Sequence, residues 1–323
     1  MKRREFIALL GGAAAAWSVP VRAQQQARPV VGFVTASSLT SLRQQVAAFH
    51  EGLKETGFVD GQNATVEYRS ADGRLDRFPA LVSDLVRRQV AVIAAHDTQS
   101  AIAAKAATTT IPIVFTTGGD PVRDGLVASL NRPGGNVTGV SFILAELAAK
   151  QLGLLHELRP EAARIGVLAD PKWPTTERVV SDVRAAALAI GRRIEVLYAS
   201  TARDIDTVFA GLPQKPVDAL LVVPSPLANN RRVQLVTLAT YHRVPALYPF
   251  REAAEVGGLM SYGTSLSDAH RQAGVYTGRI LKGEKPADLP VMQSIKFELV
   301  INLNTARAFG LSFPRGCLPS PTR

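Results

Sequence analysis

The segment over residues 218–263 constrains the fold most, because it alternates strand and helix patterns without a long interruption. Residues 219–223 are a continuous apolar run rich in Val and Leu, which is typical of a strand buried on both faces of a parallel sheet. A Pro-Ser-Pro sequence ends this strand, and two asparagines can cap the helix that follows. Two more short strands are predicted at 244–248 and 259–262, on either side of a proline. This order predicts an α/β chain that completes one lobe and crosses to another.

The same alternation extends along most of the chain. Residues 30–142 predict five strands alternating with helices, which together make one doubly wound lobe. The strand at 64–68 alternates like a strand near an edge, and a short helix is predicted at 122–130. Helical spacing over residues 147–158 leads into a second lobe, whose first strands are predicted at 165–169 and 194–198.

Three stretches resemble a known family. They are Asp-Ala-Leu-Leu-Val-Val-Pro at 218–224, His-Arg-Val-Pro-Ala-Leu-Tyr-Pro-Phe-Arg at 242–251 and Gly-Gly-Leu-Met-Ser-Tyr-Gly at 257–263. They look like the substrate-binding proteins of ABC importers, in the TrpX-like branch that includes tryptophan-binding proteins, and the resemblance covers residues 30–314. It implies the α/β fold of a type I periplasmic binding protein. That fold has two doubly wound Rossmann-like lobes, a multi-strand hinge and a ligand cleft between the lobes.

The domain boundaries follow from length and from this resemblance. Removing a signal peptide leaves about 300 residues, which is more than one compact core usually holds. The resemblance implies three crossings between the lobes, with the strand at 259–262 back in the first lobe. We therefore expect a signal peptide at 1–23, a first lobe from 28–143 and 251–288, a second lobe from 144–250 and 289–314, and a loose tail at 315–323. The tail, which contains Cys317, departs from the apolar-acidic ending of the family.

The first residues match an export signal. Arg3, Arg4 and Phe6 have the spacing of a twin-arginine signal, and the apolar run that follows is too short and too interrupted by glycines to span a bilayer. Small residues around Ala23 predict cleavage before Gln24, and hence a periplasmic protein. A Sec signal and an uncleaved amphipathic start are the alternatives. No cysteine follows the predicted cut, which argues against a lipoprotein anchor.

Charge and cysteine content exclude several classes of protein. The formal net charge of +10 is spread along the chain without an aromatic-basic motif, which favours a solvated basic surface over a nucleic-acid-binding face. A single cysteine excludes an internal disulfide framework and a cysteine-rich metal site. The five histidines lack metal-ligand spacing, so we expect no metal and no cofactor.

No catalytic motif stands out. No Gly-x-Gly-x-x-Gly follows a predicted strand, and Glu284 stands where a phosphate-binding loop would need lysine. Residues 258–263 are too long on one side for a nucleophile elbow. His96 ends a buried strand, and we interpret it as a hydrogen-bonded strand-end residue rather than a catalytic one.

Candidate ligand-binding residues follow from topology, because doubly wound folds bind ligands beyond the carboxyl ends of their strands. The first lobe supplies Ser37, Ser38, Asp97, Thr98, Gln99, Ser100, Thr117 and Asp120, the second supplies Asp170, Trp173 and Ser225, and Tyr248 and Tyr262 lie near the crossings. Thr98 and Ser100 begin a helix, so we hypothesise that they hold an anionic group of the ligand, with Ser37 and Thr117 completing the wall. Capping of the helix by Asp97 or Thr98 explains the same sequence.

Other candidates also have ordinary alternatives. Asp120 or Asp170 could pair with a ligand amine, but each suits a turn before proline, and for Asp120 we favour that role. Trp173 could stack on the ligand, close the cleft or lie exposed in a loop. Tyr248 and Phe250 alternate on a strand, so one of them is expected in the core.

Together these patterns predict a monomeric periplasmic receptor without catalytic turnover. It would capture a small ligand, carboxylated and amino-acid-like or aromatic, between two lobes and deliver it to the membrane permease of an ABC importer. A Rossmann-like enzyme acting on a small molecule, the sensor half of a transcription regulator and a periplasmic ligand sensor are the alternatives. We expect no nucleic-acid partner.

Overall fold

The computed structural model describes residues 28–142, 147–293 and 296–311. The predicted signal peptide and the tail with Cys317 lie outside the described residues. The strands are β1 (Val30–Thr35), β2 (Thr65–Ser70), β3 (Val92–Ala95), β4 (Ile113–Thr117), β5 (Val137–Ser141), β6 (Arg164–Ala169), β7 (Arg193–Tyr198), β8 (Ala219–Val222), β9 (Ala246–Tyr248), β10 (Met260–Thr264), β11 (Met292–Gln293) and β12 (Phe297–Ile301).

Helices cover both faces of the sheets that these strands form. They are α1 (Arg43–Glu55), α2 (Phe78–Arg87), α3 (Thr98–Ala107), α4 (Leu147–Leu158), α5 (Thr176–Ala189), α6 (Ala202–Gly211), α7 (Pro226–Asn230), α8 (Arg232–Tyr241), α9 (Arg251–Glu255), α10 (Leu266–Leu281) and α11 (Leu303–Ala308). In the described part of the chain, no helix is both long and apolar enough to cross a membrane.

The strands form two six-stranded sheets, one in each lobe. The first has the order β11-β5-β4-β3-β1-β2 and is parallel throughout. The second has the order β12-β10-β9-β8-β6-β7 and is parallel except for the β10–β12 pair. This arrangement confirms the predicted α/β class with two doubly wound lobes.

Alternation along each strand divides the core of the first lobe into two layers. Ile93 and Phe115 face one layer, which α2 and α3 cover. Ala94 and Val114 face the other, which α1 and α10 cover. Both strands are fully buried because they are apolar on both faces, as expected of a central parallel strand. The side chains that follow β3 must therefore also divide between the two layers.

The predicted return to the first lobe before the strand at 259–262 is wrong. β10 pairs in parallel with β9, with Met260 opposite Leu247, so both strands belong to the second sheet. The proline after β9 ends the strand without diverting the chain, because the short helix α9 carries it back to the same sheet as a βαβ unit. The chain returns to the first lobe at Ser265, where α10 begins to pack on α1. At the other end, β11 joins the first sheet, although residues 289–314 were expected in the second lobe, and only β12 joins the second.

The helix predicted at 122–130 is replaced by turns. The N–H of Leu126 donates to the carbonyl of Pro121, and Gly125 adopts a φ of +72°. A left-handed residue four positions into the segment interrupts the helical hydrogen-bond pattern.

Two glycines let α10 lie directly on α1. A Cβ atom at Gly52 would stand 1.9 Å from the carbonyl oxygen of Arg271, and one at Gly274 would stand 2.1 Å from that of Phe49. This close approach fixes the N-terminal half of α10, which carries His270, against the first sheet.

Candidate functional site

Two cavities lie in the cleft between the lobes. The small cavity measures about 120 Å³, and both lobes line it. Its polar and aromatic walls include Ser37, His96, Asp97, Thr98 and His270 from the first lobe and Trp173, Arg178, Ser225 and Asn229 from the second. The large cavity measures about 780 Å³ and is lined by Ser38, Asp72, Asp170 and Asn230, among others. Trp173 and Pro226 line both cavities, and Trp173 also packs against the core of the first lobe.

Asp97 caps α3 and also faces the small cavity. Its Oδ1 accepts a hydrogen bond from the N–H of Ser100 at 2.8 Å, and its Oδ2 accepts one from the N–H of Ala36 at 2.6 Å. The hydroxyl of Ser100 accepts the N–H of Asp97 in return at 3.2 Å, which completes a capping box. Burial raises the pKa of the Asp97 carboxyl, and these N–H donors oppose the rise. A carboxylate of the protein thus occupies the helix N-terminus, which favours the capping alternative; contact of Ser100 with a ligand stays a prediction.

Thr98 and Thr117 form a buried pair behind the cavity wall. Their hydroxyl oxygens lie 2.5 Å apart, and the hydroxyl of Thr117 also accepts the N–H of Gly119 at 3.0 Å. Thr98 lines the small cavity. Thr117, the last residue of β4, supports Thr98 from behind and precedes the loop that contains Gly119.

That loop contains an electrostatic link between the lobes. A Cβ atom at Gly119 would stand 2.2 Å from Oδ2 of Asp124, so only glycine lets this carboxylate lie against the loop. Burial raises the pKa of Asp124, and the positive charge of Arg178 in α5 of the second lobe opposes the rise. Oδ2 of Asp124 is buried without a hydrogen-bond partner in the described part of the chain, and so is Nε of Arg178.

Two histidines form the opposite wall. The ring of His96 stacks on Phe33 at 3.7 Å and on His270 at 4.7 Å between centroids. Both histidines are buried, and burial lowers the pKa of each, to about 4 for His270. Neither ring nitrogen of His96 has a hydrogen-bond partner among the described residues. The predicted strand-end position of His96 is confirmed, whereas its predicted hydrogen bond is wrong for the described part of the chain.

The remaining predicted residues have other environments. Asp120 is exposed and accepts the N–H groups of Val122 and Arg123, as a turn residue does. Asp170 accepts the hydroxyl of Ser200 at 2.8 Å beside the large cavity. Ser225 caps α7 and lines the small cavity. Gln99 is half-buried on α3 and is not among the residues that line either cavity.

The two tyrosines lie away from the small cavity. Tyr248 is a core residue of the second lobe beside a pocket of about 20 Å³, and burial raises its pKa. Phe250, its alternating neighbour, lines the small cavity. Tyr262 packs against the second core and stacks on Phe297, since β10 belongs to the second sheet.

The residues that sequence reasoning missed come mainly from helices. Arg178 is the third residue of α5 and His270 is the fifth residue of α10, where topology alone does not select them. His96 directly follows β3, so the same strand-end rule that selected Asp97 could have selected it. Across the described ranges, no group of three or more His, Cys, Asp or Glu side chains is arranged to hold a metal ion.

Two parallel-sheet lobes around a cleft lined by both of them define a binding protein for small ligands. The chain belongs to the ABC transporter substrate binding protein family, which it matches over residues 30–323. The fold is that of type I periplasmic binding proteins.

Individual relatives support this assignment. A tyrosine-binding protein of Clostridioides difficile (strain R20291) is 28% identical over 277 residues, which are 84% of this chain and 78% of the relative. A Streptococcus pneumoniae ABC domain in complex with L-Trp is 26% identical, with a TM-score of 0.80 over 90% of this chain and 97% of the other. The ligand-free, open structure of a substrate binding protein with adhesive properties from Clostridium difficile has the same identity and coverage but a TM-score of 0.65.

Proposed function

We propose that this protein is the extracytoplasmic receptor of an ABC importer for an aromatic α-amino acid. The observation that carries the proposal is the distribution of groups around the small cavity, where a carboxylate, a guanidinium and aromatic rings all face one space between the lobes. An aromatic amino acid has the complementary groups: an ammonium, a carboxylate and a ring. The relatives that bind tyrosine and L-Trp support the same ligand class.

Asp97 is the proposed partner of the ligand ammonium. Each of its oxygens accepts one backbone N–H, and a carboxylate oxygen has a second acceptor position. Since burial raises the pKa of this carboxyl, a bound cation would stabilise its charged form.

Arg178 is the proposed partner of the ligand carboxylate. Its guanidinium is a fork of donors suited to two carboxylate oxygens, and it enters the cavity from the second lobe. Because Asp97 lies in the first lobe, a single zwitterionic ligand would connect the two lobes electrostatically. Binding would thereby favour closure of the cleft.

Two observations on the position of the lobes support a closed cleft. The whole chain superposes better on the L-Trp complex, with a TM-score of 0.80, than on the open, ligand-free relative, with a TM-score of 0.65, at equal identity and coverage. Oδ1 of Asn230 in the second lobe accepts hydrogen bonds from the N–H and hydroxyl of Ser38 and from the hydroxyl of Ser41 in the first.

A titration series tests the ligand class. L-Tyr, L-Trp and L-Phe are measured by isothermal titration calorimetry together with tyramine, which lacks the carboxylate, and 3-(4-hydroxyphenyl)propanoate, which lacks the ammonium. We expect at least one amino acid to bind, and either truncation to weaken binding about 10-fold or more, because a buried charge then loses its partner. Binding of a sugar or a purine, with no response to aromatic amino acids, would contradict the proposal.

Export, the permease partner, the monomeric state and the absence of turnover belong to the same proposal. Fractionation and N-terminal sequencing should find a periplasmic chain that begins near Gln24. Replacement of Arg3 and Arg4 by lysine should block export by the twin-arginine route, whereas unaffected export would indicate the Sec route. Cytoplasmic protein that retains Met1 would contradict periplasmic localisation.

A further inference from the structure

The histidine pair of the small cavity has hydrogen-bonding capacity that the described residues leave unused. His96 is 7% exposed and His270 is 3% exposed, and both line the cavity. In the described part of the chain, neither ring nitrogen of His96 has a hydrogen-bond partner. His270 has a partner at Nδ1 and none at Nε2. Buried polar atoms are bonded in the great majority of cases, so three orphaned nitrogens on one cavity wall point to a ligand.

The tautomer of His270 follows from its one hydrogen bond. Nδ1 lies 2.8 Å from the carbonyl oxygen of Leu266, which can only accept, so Nδ1 carries the proton. Burial keeps the imidazole neutral by lowering its pKa to about 4. Nε2 is therefore a bare acceptor, and a hydrogen-bond donor on the ligand is needed to satisfy it.

Strand alternation turns the side chain of His96, and with it the ring of His270 that stacks on it, towards an apolar layer of the core. The side chain of His96 follows Ala94 into the layer between the sheet and α1 and α10, where it contacts Phe33 and Phe49. The carboxylate of Asp97 turns away from that layer, towards the backbone of Ala36 and Ser100. The ring end of a bound amino acid would thus lie beside the histidines and its charged end beside Asp97.

We propose that His270, supported by His96, selects aromatic amino acids whose ring carries a polar hydrogen. This inference rests on the proposed function and names the subset of ligands within it. A phenol O–H or an indole N–H can donate to Nε2 of His270, whereas a phenyl ring leaves it unpaired. A phenol oxygen can also accept the single N–H of neutral His96, so tyrosine can pair two of the three nitrogens: Nε2 of His270 and the protonated nitrogen of His96.

The test is a comparison of ligands on the unmodified mature protein. L-Tyr, L-Trp, L-Phe and O-methyl-L-tyrosine are titrated by calorimetry. We expect L-Tyr and L-Trp to bind about 10- to 100-fold more tightly than L-Phe, since the phenyl ring buries an acceptor without a donor. O-methyl-L-tyrosine, which retains an oxygen but no polar hydrogen, should bind as weakly as L-Phe or more weakly.

A matched variant assigns the effect to His270. His270→Asn keeps an N–H near the Nδ1 position for the carbonyl of Leu266 but removes the Nε2 acceptor. It should reduce the ratio of L-Tyr to L-Phe affinity about 10-fold, while His242→Asn, at the end of α8 and outside the cavity, leaves the ratio unchanged. Should His270→Asn fold poorly, ¹⁵N chemical shifts of the imidazoles in the unmodified protein report whether Nε2 of His270 gains a hydrogen bond when L-Tyr binds.

The outcomes separate this inference from the proposed function. Equal affinities for L-Tyr and L-Phe, an unchanged ratio in His270→Asn, or an unchanged Nε2 shift would overturn the role of the histidines and leave an aromatic amino-acid receptor standing. If none of these amino acids binds, both proposals fail.

Discussion

At the scale of single residues, Arg178 carries the first prediction. It is the proposed carboxylate partner and enters the cavity from the second lobe. Arg178→Gln should weaken binding of the preferred amino acid about 10- to 100-fold, because a buried carboxylate loses a charged donor. Arg184→Gln, an exposed change on the same helix, is the control. Calorimetry measures the affinity and thermal melting without ligand checks the fold; equal binding by both variants would place the carboxylate elsewhere.

A second residue-scale prediction concerns acid stability. The folded protein holds His270 at a pKa of about 4 against 6.5 in the unfolded chain, so the unfolded chain takes up the proton first as the pH falls. The free energy of unfolding should therefore decrease between pH 6.5 and about 4, by about 3 kcal/mol from this residue. The contribution of neutral His270 to stability should be fully retained above pH 6.5.

The difference between the unmodified protein and His270→Asn contains this effect together with any change at His96, because His270 itself helps to lower the pKa of His96. His96 and Asp97 remain in both proteins. Burial lowers the pKa of His96, so His96 also decreases the free energy of unfolding as the pH falls. Burial raises the pKa of Asp97, so Asp97 has the opposite effect on that free energy. Urea unfolding at several pH values measures the difference. A constant difference between pH 7 and 4 would show that His270 is not buried in its neutral form.

These residues also show how far sequence reasoning extends. The rule that ligands lie beyond strand ends selected Asp97, Thr98 and Trp173, which line the small cavity. It could not select Arg178 or His270, because the direction of a helical side chain depends on how the helix packs. That packing is set by close contacts such as Gly52 against α10, which no local pattern reveals.

At the scale of elements, the capping box at the start of α3 makes a testable distinction. Ser100 is fully buried and exchanges hydrogen bonds with Asp97. Ser100→Ala should lower the free energy of unfolding by about 1 kcal/mol, the usual loss for a capping interaction. Ser181→Ala, exposed on α5, should have little effect. If Ser100→Ala instead melts normally but binds ligand weakly, the predicted anion contact is correct and the capping role is secondary.

The elements themselves were largely predictable, and their assignment to lobes was not. Continuous apolar runs identify central strands such as β3 and β8, because a strand covered on both faces has no polar side. A proline that ends one strand gives no information about which sheet the next strand joins. β10 joins β9 through the five-residue helix α9, which is too short to show a period.

At the scale of the whole molecule, Asn230 is placed to hold the lobes together. Its Oδ1 accepts the N–H of Ser38 at 3.1 Å and the hydroxyl of Ser41 at 2.7 Å across the cleft. A hydrogen bond that exists only when the lobes meet stabilises the closed state alone, so its loss lowers apparent ligand affinity by the same factor.

Asn230→Ala should therefore weaken ligand binding about 10-fold without touching the small cavity, as expected for the loss of two or three hydrogen bonds. Ser41→Ala removes one donor to the same oxygen, so the double variant should lose less binding free energy than the two single variants combined.

X-ray scattering measures closure directly and should show less compaction on ligand addition in Asn230→Ala than in the unmodified protein. Asn304→Ala, an exposed change in the second lobe, is the control and should behave as the unmodified protein does. Strictly additive effects, or undiminished compaction in Asn230→Ala, would mean that the ligand alone closes the cleft through its contacts with Asp97 and Arg178.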